Sequence, residues 1–339
     1  MMPEEWPIAA EAADRLVDPA RVRGPSRLST VRADFFLDPG DRLTEQERAL
    51  MTAMLHDLVE TLANEIAAAA GRREVPHDGA ALAARLIGAG LVDRPGLVAV
   101  MLRRSDEFRI SSVFAGHNGP RRLPLLPKLV SDDNPEVAAA AMALVMARGR
   151  RRDGFGQPRL ELADLGVEDR EALAFGVAAA MSPDRQQDAR LASAARRVVD
   201  STREDQSLDS VTAALIDALD AVGRDRLDLL AQASAEGEVA LVAQILSRES
   251  GVGPQAAWDH LLNSGEGGLA LLARMAGLAR PVAARVIADL GSSTFAASIE
   301  DEIARFDSLT DEEVAVARLH WQLPRDFRAA RVALGVSHG

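Results

Sequence analysis

The chain has no cysteine, and that single absence removes disulfides, thiolate nucleophiles, iron–sulfur ligation and thiolate zinc sites together. It also has no tyrosine, and aromatic residues make up only 4% of it. Lys128 is the one lysine, every other base being arginine, so Schiff-base chemistry and P-loop phosphate binding are confined to one position. No uninterrupted apolar run approaches the roughly 18 residues that a membrane-spanning helix needs. The start, Met1-Met2-Pro3-Glu4-Glu5, is acidic where a secretory signal is basic. A cytoplasmic location is therefore expected.

What is present is acidic and apolar in equal prominence. The 339 residues carry 51 acids against 39 bases, a formal charge of −12, with 47% apolar residues. That length corresponds to about two domains at roughly 150 residues each, either long enough to bury a core. The acidic balance opposes general binding to nucleic acid or to an anionic membrane, because phosphate contacts need a basic face.

Alanine, leucine, glutamate and arginine dominate, and strand-like alternation of β-branched and polar residues is scarce, so the expected class is all-α. Segment 44–71 is the clearest helix, with Leu50, Met54, Leu58, Leu62 and Ile66 at steps of four. Thr44 and Glu47 form a capping box at its start and Gly71 stops it. Further on, Pro95, Pro135, Pro183, Pro254, Pro281 and Pro324 each stand where a first helical turn begins. Gly90, Gly149, Gly223, Gly251 and Gly291 follow apolar-periodic stretches, where a left-handed residue closes a helix. Short loops between such helices imply antiparallel neighbours. An internal echo between Gly96–Arg104 and Val239–Arg248 adds the suggestion of stacked helical pairs, against coincidence between two amphipathic helices.

These signals divide the chain into residues 1–42, with a helix over Trp6–Val17 and an irregular stretch carrying Phe35, Phe36 and Leu37; a first helical block over 43–149; a linker over 150–157, rich in arginine and glycine; and a second helical-repeat block over 158–339. In the last block Thr310 and Glu313 form a second capping box, and Trp321, Leu323 and Phe327 close the open end or dock a partner.

Three stretches carry a family resemblance. They are Ala33–Leu37 leading into Arg42–Arg48, Leu126-Pro127-Lys128-Leu129-Val130-Ser131-Asp132-Asp133-Asn134-Pro135-Glu136-Val137, and Gly268–Leu278. Together they resemble an uncharacterised bacterial helical-repeat family of HEAT-like type, domain of unknown function 2336, over about residues 30–290. The resemblance implies an α-α superhelix of stacked antiparallel helix pairs and brings no catalytic motif. The arginine that usually follows the valine of the Asp/Asn-Pro-Glu-Val turn is missing, since Ala138–Ala141 stand there.

No phosphate loop, nucleophile elbow, zinc-binding HExxH or calcium loop occurs. His56 and Glu60 lie four apart on the long helix, a metal-ligand spacing that a solvated polar face explains equally. His260 and His320 adjoin tryptophans and read as packing residues. His117 falls in Gly116-His117-Asn118-Gly119-Pro120, a turn composition in a loop. The largest departure from the chain's acidity is Arg148, Arg150, Arg151 and Arg152. With Arg121, Arg122 and His117 these form a candidate site for a phosphate, a nucleotide or an acidic partner segment, because guanidinium forks grip such groups bidentately. The commonplace reading of the same run is a solvated linker.

The expected function is a non-enzymatic cytoplasmic scaffold or regulatory protein that binds a protein partner, with no cofactor, no metal, no nucleic acid and no membrane. The alternative is a sensor that binds a phosphate-bearing small molecule or nucleotide through the arginine cluster. A nucleic-acid-acting enzyme of the HEAT-like glycosylase type is a third reading, which the acidity opposes.

Overall fold

A computed structural model describes residues 44–71, 77–115, 124–183, 185–262, 267–294 and 299–334. The segments Trp6–Val17 and Phe35–Leu37, and His117, Arg121 and Arg122, lie outside the described residues. Within them the chain is all-α: sixteen helices, two short 3-10 turns, and no strand beyond one isolated bridge between Arg152 and Pro158. None of these helices is long and apolar enough to cross a membrane.

The described residues fall into two compact units that interleave along the chain. One takes residues up to Phe108 and then Leu126–Ala218; the other takes Arg109–Leu125 and everything from Leu219 onward. This differs from the sequential division at 150–157, because that stretch lies wholly inside the first unit. The boundaries fall instead inside three helices, Pro95–Ala115, Leu125–Val130 (after its first residue) and Leu208–Ala221.

The first unit is built around α1 (Glu45–Ala69), whose bounds and caps follow the sequence signals. Thr44 Oγ1 accepts from the Glu47 amide at 3.2 Å, Glu47 returns a carboxylate to the Thr44 amide at 3.2 Å, and Gly71 has φ +66. The α1 seam of Met51, Met54, Leu55, Leu58, Leu62 and Ile66 is fully buried. It packs against α2 (Gly79–Gly88), α6 (Val167–Met181) and α7 (Arg185–Ser201), while α6 packs along α7. The start of α3 (Pro95–Ala115) completes the same core with Leu97, Val98 and Met101. Two shorter elements, α4 (Leu125–Val130) and α5 (Pro135–Arg150), precede α6, and α8 (Leu208–Ala221) follows α7.

The second unit contains α9 (Arg226–Glu236), α10 (Val239–Ser250), α11 (Pro254–Leu262), α12 (Gly268–Met275), α13 (Arg280–Thr294), α14 (Ile299–Ser308), α15 (Asp311–Trp321) and α16 (Arg325–Ala333). A helix that is apolar all round belongs in an interior, and α12, with the sequence Gly-Leu-Ala-Leu-Leu-Ala-Arg-Met, is one. It packs against α10, α11, α13, α14 and α15, and every residue in it but Arg274 is buried. The two echoing segments form the start of α3 in one unit and α10 in the other.

Most punctuation acts as expected. Pro95, Pro135 and Pro254 open α3, α5 and α11, and Thr310 with Glu313 makes the second capping box. Gly251 closes α10 in the left-handed region at φ +72. Gly149 and Gly291 do not stop their helices, which run on to Arg150 and Thr294. A helical glycine costs only about 1 kcal/mol, too little by itself to end a helix. Trp321 is buried, whereas Phe327 is half exposed, so of the expected aromatic closure only Trp321 joins the core.

Beside Trp321 sits His260, fully buried, its ring centroid 4.2 Å from the indole and neither nitrogen hydrogen-bonded. The Arg328 guanidinium stacks on the indole at 4.0 Å. Burial pushes the His260 imidazole down to about 3, and the charges of Arg328 and His320 act in the same direction. A histidine depressed in the folded state contributes stability above its ordinary value near 6.5 that is lost as pH falls toward 3. Replacing His260 by phenylalanine is expected to keep the melting temperature near the parent's at pH 8 and to flatten the acid limb between 6.5 and 3. Parallel melting curves for parent and variant across that window would refute this account.

Candidate functional site

The arginine run emerges from α5 into a hairpin rather than a free linker. Asp153 organises it: its Oδ1 accepts from the Phe155 and Gln157 amides, both at 2.8 Å, while its own amide donates to Gln157 O at 3.0 Å. The Arg159 amide then donates to Arg151 O at 2.9 Å. A side chain that satisfies several backbone donors makes a glycine-rich turn rigid. The result sets Arg152 and Arg159 on facing arms.

Arg151 turns inward and is buried. Nε and Nη2 donate to Asp164, Nη1 donates to Ala147 O at 3.1 Å and forms an ion pair with Glu161 at 2.8 Å, and Nη2 also donates to Gln206 O at 3.0 Å. Burial raises the Asp164 carboxyl, but hydrogen bonds from Arg151, the charges of Arg104 and Arg151, and the Leu208 amide outweigh it and hold the group below the ordinary carboxylate range. Behind this pair Arg103 and Arg104, both buried on α3, share Asp209, and Arg104 also pairs with Glu107. Asp209 likewise sits below its ordinary value, its desolvation outweighed by those two arginines.

In front of the network opens a pocket of about 850 Å³, within the range that small-molecule sites occupy. Arg150, Arg152, Arg159 and Arg203 line it, opposed by Glu65 and Glu161. Its floor is apolar, formed by Leu58 and Leu62 of α1 with Leu160, Leu162 and Val198. Arg150 Nε bonds Glu161 at 3.0 Å, Arg159 Nε bonds Asp57 at 2.8 Å, and Arg203 Nε bonds Asp205 at 3.0 Å. Each of these arms is oriented by its carboxylate and keeps further N–H groups. Arg152 is exposed and lies 5.9 Å from the Phe108 ring centroid. Ser201 and Thr202 spend their hydroxyl protons on Val198 O, both at 2.9 Å.

Of the residues singled out in the sequence, Arg150 and Arg152 meet at this pocket. Arg148 stands half-buried two residues before Arg150 on α5 and Arg151 belongs to the support behind the pocket, so neither lines it. Arg159 and Arg203 were missed. Arg159 stands one residue beyond the proline that ends the arginine- and glycine-rich stretch, a faint local signal; Arg203 has none. Among the described residues no three histidines, aspartates or glutamates are grouped to hold a metal. No family model, curated protein or solved structure gives a significant match to this chain.

Proposed function

We propose that the chain is a non-enzymatic binding protein of the helical-repeat type, whose arginine-lined pocket takes a phosphate-bearing small molecule such as a nucleotide. The observation that carries this is the pocket itself: four arginines against two glutamates above an apolar floor, with three of the arginines pre-oriented by carboxylates. Guanidinium forks match phosphate oxygens bidentately, and the apolar floor suits a base or another flat apolar group. The lining hydroxyls of Ser201 and Thr202 are committed to the backbone, which favours recognition over turnover. The HEAT-like resemblance and a cytoplasmic location belong to the same proposal.

Thermal melts with ATP and with inorganic pyrophosphate test it. Saturation to a hundred times Kd adds about 2.7 kcal/mol of stability, a rise of several degrees. The double variant Arg152→Glu with Arg203→Glu, both at exposed positions, is expected to keep the unliganded melting temperature and to lose the ligand-induced rise. A rise that survives charge reversal, or none with either probe, would defeat the reading.

A second reading, recognition of a protein, is favoured by a separate observation: one helix of the first unit keeps an apolar face in solvent.

A further inference from the structure

The helix α5 reads Pro-Glu-Val-Ala-Ala-Ala-Ala-Met-Ala-Leu-Val-Met-Ala-Arg-Gly-Arg, with no polar side chain between Glu136 and Arg148. Its buried stripe is Val137, Ala141, Leu144 and Ala147, spaced to fit one face. The opposite face is equally apolar, yet Met142, Val145 and Met146 are 43%, 40% and 58% exposed. A helix hydrophobic all round is normally enclosed, and three such neighbours at i, i+3 and i+4 form one continuous patch.

Two properties of α5 say what covers it. The exposed face is symmetric in position about Met142: Ala139 and Ala138 stand three and four residues before it, Val145 and Met146 three and four residues after, with Pro135 and Gly149 at the ends. The ends carry opposite charge, Asp132, Asp133 and Glu136 at the start and Arg148, Arg150 and Arg152 at the finish. Laid antiparallel on another α5 with the two Met142 residues opposed, the face meets itself, Ala139 against Val145 and Ala138 against Met146. Each acidic end then meets a basic end. This is the self-complementarity that an isologous two-fold interface requires, and small residues let helix backbones approach closely.

We propose that the exposed face of α5 is a homodimer interface, in which two copies of this chain pack α5 antiparallel about a two-fold axis at Met142. The apolar seam shares no residue with the pocket, whose Arg150 and Arg152 enter here only as end charge beside Arg148.

The absence of cysteine makes the test clean. Met142→Cys places two thiols at the axis, within the roughly 7 Å Cα separation that a disulfide spans. Mild oxidation is expected to give a covalent dimer of twice the 36.1 kDa chain mass. Ala139→Cys should not cross-link to itself, its two copies being offset by about 9 Å along the helices, but should do so when mixed with Val145→Cys. Without cross-linking, Met142→Glu with Met146→Glu, both at exposed positions, is expected to move the native mass from dimer to monomer while the helical circular dichroism holds and the melting temperature loses its dependence on protein concentration. Self-cross-linking of Ala139→Cys as strong as that of Met142→Cys would overturn the antiparallel geometry. A monomeric mass for the parent together with no cross-link at Met142→Cys would overturn the interface, leaving α5 to a different protein.

Discussion

Arg151→Met is expected to lower stability by about 3–5 kcal/mol, because it strands buried Asp164 without its counter-charge. The effect follows from the hydrogen bonds of that one guanidinium to Asp164, Ala147 O and Gln206 O and from its ion pair with Glu161. Its neighbours in sequence supply the control. Arg150→Met and Arg152→Met act at exposed side chains, and a surface ion pair contributes about 0–1 kcal/mol. Denaturant titration of the three variants should therefore separate one strongly destabilised protein from two near the parent. The double replacement Arg151→Met with Asp164→Leu should recover much of the loss, since removing both partners of a buried pair costs far less than removing one. Three equal effects would mean that the run acts as a solvated charge block. The sign with pH follows too: a carboxyl held below its ordinary value contributes stability at neutral pH that is lost as pH falls through the carboxylate range. The Arg151→Met chain should consequently show a shallower acid transition than the parent.

The second large effect concerns Glu302. It reaches from α14 to the first turn of α12, where its Oε2 accepts from the Gly267 amide at 3.0 Å and its Oε1 from the Ala270 amide at 2.8 Å. The α12 N-cap, Gly267, has no side chain to do this, so a distant carboxylate serves as cap. Burial pushes Glu302 up to about 7 even though those amides pull it down. A folded-state value above the ordinary 4.5 favours the fold below 4.5 and loses that contribution as pH rises to 7. The swing amounts to about 3 kcal/mol. Glu302→Gln keeps an acceptor and removes the titration, so relative to the parent the variant should gain stability between pH 5 and 8. Glu302→Ala instead leaves the Ala270 amide buried and unpaired, costing about 1–3 kcal/mol. If parent and Glu302→Gln melt in parallel over that range, the carboxylate is not titrating in the window that its burial dictates.

Local features were legible because their causes are local. The Thr44–Glu47 box, the Gly71 stop and the leucine and methionine seam of α1 each depend on residues within one or two turns. Arg150 and Arg152 stood out as charge in an acidic chain, and both reach the pocket. The role of Arg151 was hidden because its partners, Asp164 and Gln206, lie 13 and 55 residues away. Arg203 is unremarkable in Ser-Thr-Arg-Glu-Asp, and only the packing of α7 on α1 brings it to the same rim. The stretch 150–157 resembled a linker because glycine-rich composition does not reveal that Asp153 gathers its amides. Of the candidate site, then, composition revealed the charge while tertiary structure decides which arginines face the ligand.

The interleaving of the two units bears on how such a chain is inherited. A genetic crossover in the codons of 150–157, where composition invites one, would part α1, α2 and the start of α3 from α6 and α7, leaving Met54, Leu58 and Leu62 without the helices that cover them. Neither unit occupies a single stretch of gene, so neither can be shuffled into another protein by one insertion. An engineer wishing to borrow the arginine pocket therefore has to transplant everything from α1 through the start of α8.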